Sequence, residues 1–147
     1  MNIAIANDHG GYEYKQILIP FLQGLGHSVV DLGCHDSGSV DYADFALPCG
    51  EAVARSEADR GIVICGTGIG VSIAANKVKG IRCALCTDPL MARLTREHND
   101  SNMLALGGRI IGIELAKEIV AVWLATDFTG GRHQNRIDKI TRYESER

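Results

Sequence analysis

The sequence predicts an α/β fold in which a parallel sheet is covered on both faces by helices. Two observations carry this. Short apolar runs alternate with amphipathic stretches five times along the 147 residues, the pattern of repeated right-handed βαβ units. Hydrophobic residues make up 46% of the chain but aromatics only 5%, so the core is built from Ile, Val, Leu and Ala, as in buried parallel strands. The length is close to that of a typical single domain. No linker, repeat or low-complexity tract interrupts the pattern, so residues 1–147 are expected to form one domain.

Ile3-Ala4-Ile5-Ala6 reads as the first strand and breaks at Asn7-Asp8-His9-Gly10-Gly11. Tyr14, Ile17, Leu18, Phe21, Leu22 and Leu25 follow at helical spacing. Pro20 lies inside that stretch and predicts a kink, because proline removes one helical hydrogen bond. Gly26 ends the helix, and Ser28 to Leu32 forms a second strand. A Gly/Ser/Asp loop leads to a helix from about Tyr42 to Glu57, with Asp41 as the expected N-cap and with Pro48 and Gly50 weakening its middle. Gly61 to Cys65 is the third strand; the turn Gly66-Thr67-Gly68-Ile69-Gly70 then opens a helix running to about Lys77. Ile81 to Cys86 reads as the fourth strand, Thr87 as a helix cap, and Met103 to Leu106 as the fifth strand. Gly112 to Ala125 is the clearest amphipathic helix, with Leu115, Ile119, Val122 and Trp123 on one face, and Gly130-Gly131 opens a last helix from about His133.

Fifteen Lys and Arg against eighteen Asp and Glu give a net charge of -3. There is no general basic field, which disfavours nucleic acid or an anionic membrane as the main partner. No apolar run approaches the ~18 residues that span a bilayer. The N-terminus has neither a basic n-region nor a cleavage site, and five cysteines make an odd count. Reduced thiols in a cytoplasmic protein are therefore expected. Cys83-Ala84-Leu85-Cys86 has CxxC spacing, but within a strand its thiols point to opposite faces, so it reads as core and no metal is expected.

In doubly wound sheets ligands bind beyond the carboxyl ends of the strands. The loops after strands one, three, four and five are thus the ones to inspect. Cys65-Gly66-Thr67-Gly68-Ile69-Gly70 is a turn whose amides and helix end favour an anion. Val71 stands where a dinucleotide fingerprint needs glycine and where a cysteine phosphatase needs arginine, and no Gly-Lys-Ser/Thr ending makes it a Walker loop. Cys65 is then either a buried strand-end thiol or a thiolate that serves as base or nucleophile. Asp8-His9 and His98-Asn99-Asp100 are each either ordinary turns or parts of a site. Arg132 and Arg136, four apart on one helical face after Gly130-Gly131, form either a phosphate clamp or a solvated face paired with Asp138 and Glu144. Arg109, after Gly107-Gly108, is a further candidate anion ligand.

Taken together, Asn7-Asp8-His9-Gly10-Gly11, the run Ile64 to Lys77 (ICGTGIGVSIAANK), Arg96-Glu97-His98-Asn99-Asp100, Gly107-Gly108-Arg109 and Gly130-Gly131-Arg132-His133 resemble the type B ribose-5-phosphate isomerases. That family shares a superfamily with galactose-6-phosphate isomerase subunits. The resemblance covers essentially the whole chain. It implies a Rossmann-like three-layer α/β/α sandwich on a five-stranded parallel sheet, and a homodimer, often paired into tetramers, with sites shared across the interface. It also implies aldose-ketose interconversion of D-ribose 5-phosphate and D-ribulose 5-phosphate, with no metal or organic cofactor.

Carried over by residue, the resemblance makes Cys65 the base that moves a proton between carbons 1 and 2. The amides of Gly66, Thr67, Gly68, Ile69 and Gly70 would stabilise the cis-enediolate, an arrangement of the oxyanion-hole kind. Thr67 would hydrogen-bond the reacting oxygens or relay a proton; His98 would assist ring opening, and Asn99 and Asp8 would hold the sugar. His9, Arg109, Arg132 and Arg136 would bind the phosphate, and Asp41 is a weaker candidate for proton transfer between oxygens. His98 and the terminal arginines are expected to meet Cys65 across the interface. Some family members carry a glutamate base at the position of Val71; here the thiol version applies. Ala43 stands where proline often follows Asp-Tyr, a departure close to Asp41. A six-carbon sugar 6-phosphate (allose or galactose) is the alternative substrate, and a non-catalytic sugar-phosphate-binding module the alternative class.

Overall fold

The computed structural model describes all 147 residues. Five strands form one all-parallel sheet: β1 (Asn2–Asn7), β2 (Ser28–Asp31), β3 (Arg60–Cys65), β4 (Cys83–Leu85) and β5 (Met103–Gly107), in the order β2-β1-β3-β5-β4. Helices α1 (Tyr12–Gly24), α2 (Ala43–Ala54), α3 (Ile69–Ala75), α4 (Pro89–Asn99) and α5 (Ile113–Ala125) alternate with them, and α6 (Arg132–Ser145) ends the chain. The sequence-predicted α/β/α sandwich and its five-stranded sheet are thus observed. No helix is long and apolar enough to cross a membrane.

Strand side chains alternate between two cores. Ile3, Ile5, Ile62, Ile64, Leu104 and Leu106 pack with Leu18, Leu22, Ile119 and Trp123 on the side of α1, α4 and α5. Ala4, Ala6, Val63, Cys65, Met103 and Ala105 meet Ala46, Cys49, Val71 and Ala75 of α2 and α3. The second face is lined mainly by small residues, so α2 and α3 lie close to the sheet; Gly50 sits where an added Cβ would come within 3.0 Å of Val78. Cys83 packs on the α2/α3 side and Cys86 on the other, as strand alternation predicts.

The helices follow the sequence reading through their interiors, while two caps differ from it, each for a local reason. The helices run through Pro20 and through Pro48. Both prolines are exposed, so the carbonyls they leave free face water rather than the core. Asp41 does not cap α2: the N-cap is Tyr42 and no side chain supplies a cap bond there. The cap of α4 is Asp88 rather than Thr87, its carboxylate accepting from Met91 N at 2.9 Å with Pro89 in the first turn.

Every strand is parallel and each is followed by a helix that runs back, which divides the molecule into two ends. The strands finish, and α1 to α5 begin, at one end; the helices finish, and the strands begin, at the other. Of the linking loops, the one after β2 is the longest, and α6 lies across the second end, where its Glu144 accepts from Gly80 N.

Candidate active site

The chain moves from β1 outward to β2, then returns past β1 to β3, so the order reverses between β1 and β3. The loops after these two strands meet there. Gly10 crosses the β3 loop so closely that a Cβ would lie 2.7 Å from Gly66 N, and Gly108, after β5, lies against Gly10 O. Only glycine permits this triple approach.

Cys65 closes β3 and is buried. Gly68, at φ +80°, turns the chain back so that its N–H donates to Cys65 Sγ at 3.1 Å. Thr67 Oγ1 accepts from Ile69 N at 3.2 Å and starts α3. The backbone N–H groups of Gly66, Thr67 and Gly70 donate to no protein acceptor. The loop therefore presents a sulfur held by one amide beside a set of amides available to an anion. The side chain of Arg109 lies over Gly66, where a Cβ would come within 3.2 Å of its Nη1, and Arg109 takes part in no ion pair.

The β1 loop supplies the remaining groups at this end. Asp8 is buried, and its Oδ1 accepts from Gly10 N at 2.8 Å. His9 Nδ1 accepts from Val40 N at 3.2 Å, which puts the proton of the neutral ring on Nε2. His9, Tyr14, Ser37 and Arg109 line a cleft of ≈ 250 Å³. Behind it Lys15 is fully buried, its ammonium donating to Asp31 at 3.1 Å and to the carbonyl of Cys34. Cys34 Sγ accepts from Asn7 Nδ2 at 3.1 Å, and burial pushes this thiol's pKa up despite the nearby Lys15.

His98, Asn99, Arg132, His133 and Arg136 line a separate cleft of ≈ 410 Å³ without an apolar side chain. His98 and His133 stack, ring centroids 4.3 Å apart and planes 14° from parallel. Partial loss of hydration, then the neighbouring His98, Arg132 and Arg136, lower the His133 pKa. Neither arginine pairs with Asp138 or Glu144, which bond instead to Gln134 and Gly80 N.

The two groups lie at opposite ends of the sheet. Asp8, His9, Cys65, the Gly66 to Gly70 loop and Arg109 stand where strands end. His98 and Asn99 stand in the last turn of α4, beside the start of the strands, where Gly61 N donates to Asn102 O and Asn102 N to Arg82 O. His98 and His133 are therefore not in strand-end loops, and the loop after β4 lines neither cleft. The loop after β2, from which the sequence singled out only Asp41, brings Val40 to His9 and Ser37 to the cleft, and puts the Tyr42 ring over Gly70 (2.9 Å to a Cβ there). Asp41 is exposed at the entry to α2, next to that ring.

A doubly wound sheet whose switch point carries a thiol in an amide-rich turn, under an unpaired guanidinium, defines an α/β protein built to hold an anionic small molecule. Comparison with known proteins narrows this. Residues 3–140 match the family model described as Ribose/Galactose Isomerase. Ribose-5-phosphate isomerase B of Escherichia coli is 48% identical, the match covering 99% of this chain and 97% of that one. The solved structure of ribose-5-phosphate isomerase B from Clostridium thermocellum is 55% identical with a TM-score of 0.98, over 99% of both chains. That of the Mycoplasma genitalium ribose-5-phosphate isomerase B with bound ribulose-5-phosphate is 45% identical with a TM-score of 0.95, over 99% of this chain and 97% of that one. The chain belongs to the ribose/galactose isomerase family.

Proposed function

We propose that the protein interconverts D-ribose 5-phosphate and D-ribulose 5-phosphate, with Cys65 as the base. The observation that carries this is the loop after β3: Cys65 Sγ accepts from Gly68 N–H, and three further amides of the same loop have no protein acceptor. The Gly68 amide holds the sulfur at the mouth of the loop, and a cysteine acts as base in its thiolate form, the one that can take a proton. The free amides suit the charge that develops on the enediolate oxygens.

Starting from the aldose, His98 assists ring opening by taking the proton of the anomeric hydroxyl and passing it to the ring oxygen as the bond from that oxygen to carbon 1 breaks. The thiolate of Cys65 removes the proton on carbon 2, and the electron pair moves through the carbon 1–carbon 2 bond onto the carbonyl oxygen, giving the cis-enediolate. Thr67 relays the proton from oxygen 2 to oxygen 1. The carbonyl then re-forms at carbon 2 while carbon 1 takes the proton from the Cys65 thiol. Asn99 and Asp8 hold sugar hydroxyls, and His9, Arg109, Arg132 and Arg136 hold the phosphate. A reducing cytoplasmic setting keeps such a thiol available.

A homodimer completes the site. One chain keeps Cys65 and His98 at opposite ends of its sheet, so the His98 group must come from a second copy. Exposed apolar side chains around the strand-end cleft support this: Ile69, Leu90 and Ile110 are each more than half exposed. Two measurements test the reading. Cys65→Ala should lose ketose formation from ribose 5-phosphate, with EDTA present, while still binding the sugar phosphate. Mixing inactive Cys65→Ala with inactive His98→Ala under subunit exchange should restore about a quarter of wild-type activity, because half the dimers then carry one intact site of two. Turnover by Cys65→Ala near that of wild type would remove the base assignment; no recovery on mixing would remove the shared site. Activity on allose or galactose 6-phosphate, with none on ribose 5-phosphate, would move the substrate to a hexose.

A further inference from the structure

Arg96 is buried in the last full turn of α4, and its guanidinium reaches both the turn that closes the helix and the segment leaving α5. Its Nη1 donates to Asp100 Oδ1 at 2.8 Å and to Ser101 O at 2.6 Å, and its Nε donates to Thr126 O at 3.2 Å. Asp100 closes α4 in the left-handed region (φ 45°, ψ 47°), with Ser101 N returning to Thr95 O. Glycine would occupy that position with least strain. An aspartate there adds a carboxylate that Arg96 and Arg82 (3.4 Å) both grip, while Arg82 also binds the carbonyls of Asn99 and Asp100.

On the far side, Thr129 fastens the segment before α6 to the same helix end. Its N–H and Oγ1 both donate to Glu97 O, at 3.2 and 2.7 Å. Thr126 and Thr129 are thus both tied to α4, and α6 begins three residues beyond Thr129 with its first turn over His98. The result is the 4.3 Å stack of His98 on His133.

We propose that Arg96 is a positioning residue: it ties the end of α4 to the segment leaving α5, and together with Thr129, which ties the following residues to Glu97, it sets the spacing between His98 with Asn99 and the pair Arg132 and Arg136. This rests on the functional reading above, in which His98 acts at the sugar ring while the arginines hold the phosphate. One substrate spans both, so their spacing decides whether a bound phosphate brings the anomeric hydroxyl to His98. Lysine cannot replace the guanidinium, because a single ammonium lacks the planar fork that serves a carboxylate and two carbonyls in fixed directions.

The test reads geometry and catalysis separately. Imidazole proton resonances of His98 and His133 are recorded in wild type, Arg96→Lys, Asp100→Asn and Thr129→Val, together with kcat, KM for ribose 5-phosphate and the melting temperature. Stacked rings shift each other's protons upfield. Arg96→Lys is expected to stay folded and lose that shift, with kcat down about 10- to 100-fold and KM little changed, the cost of a misplaced group near the chemistry. Asp100→Asn keeps an acceptor for Arg96 and a residue tolerant of left-handed backbone, so it should hold the stack and kcat near wild type. Thr129→Val, at an exposed position, should move both in the direction of Arg96→Lys by a smaller amount. A folded Arg96→Lys with the wild-type shift and kcat overturns the proposal; if Arg96→Lys does not fold, an unchanged Thr129→Val overturns it. Should wild type prove inactive on ribose 5-phosphate, the functional reading fails, and the ring-shift arm still decides whether Arg96 sets the stack.

Discussion

Replacing Gly68 with alanine tests the thiol loop at its tightest point. Gly68 sits at φ +80°, and an added Cβ would lie 2.5 Å from Leu85 Cδ1, 2.9 Å from Leu106 C and 3.1 Å from Gly107 N. The left-handed backbone costs an alanine about 1–2 kcal/mol. Relief of the contacts adds about 1–3 kcal/mol, since two of the three are backbone atoms that cannot rotate away. The sum, about 2–5 kcal/mol, lowers the melting temperature of a chain this size by roughly 4–20 °C. The same shift moves the N–H that donates to Cys65 Sγ. A hydrogen bond to a charged acceptor contributes about 1.5–3 kcal/mol, which is about 10- to 150-fold in kcat. Gly66→Ala serves as the control, because its Cβ meets only the flexible Arg109 side chain; it should raise KM and leave the melting temperature close to wild type. Differential scanning fluorimetry and initial rates of ketose formation measure both. A Gly68→Ala protein that melts and turns over like wild type shows that neither the turn nor the Gly68 amide holds the sulfur.

Lys15→Met removes the buried ammonium, leaves the carbonyl of Cys34 without its donor and frees a partly exposed Asp31; the urea midpoint should fall by an equivalent of about 1–3 kcal/mol with the m-value unchanged. His27 is held below its ordinary value of 6.5 by lost hydration, then by the N-terminal amine and Arg60. Its charged form is thus disfavoured in the folded state: both states are neutral above that pH, and stability is lost as pH falls from the ordinary value through the lowered one. His27→Gln should flatten that part of the urea-midpoint profile, and a profile identical to wild type removes His27 as the cause.

The sheet was legible because its strands are short aliphatic runs bounded by glycine, and a run such as Gly61 to Cys65 has no competing helical period. The helical period carried α1 and α2 through Pro20 and Pro48, both of which face water in the folded chain, whereas the caps depended on what surrounds them. Thr87 and Asp88 are equally good caps by composition; Pro89, which fits the first helical turn, is what selects Asp88. The candidate site residues stood out in the sequence through glycine spacing and the resemblance it supports. Their division into two ends was not visible in any one motif. It follows from counting helix directions, since the last turn of α4 must lie opposite the end of β3. Lys15 had a signal that was not used: a charge on the apolar stripe shared with Leu18 and Leu22, where only a buried partner allows it. Tyr42 and Val40 had none, because the path of a long loop is set by what it packs against.

The separation of the two clefts has a consequence for how activity scales. If each working site needs the strand end of one chain and the helix end of another, a lone chain is catalytically silent however well it folds. Rate per chain then tracks the fraction paired, falls as the protein is diluted through its association constant, and makes turnover itself a gauge of assembly.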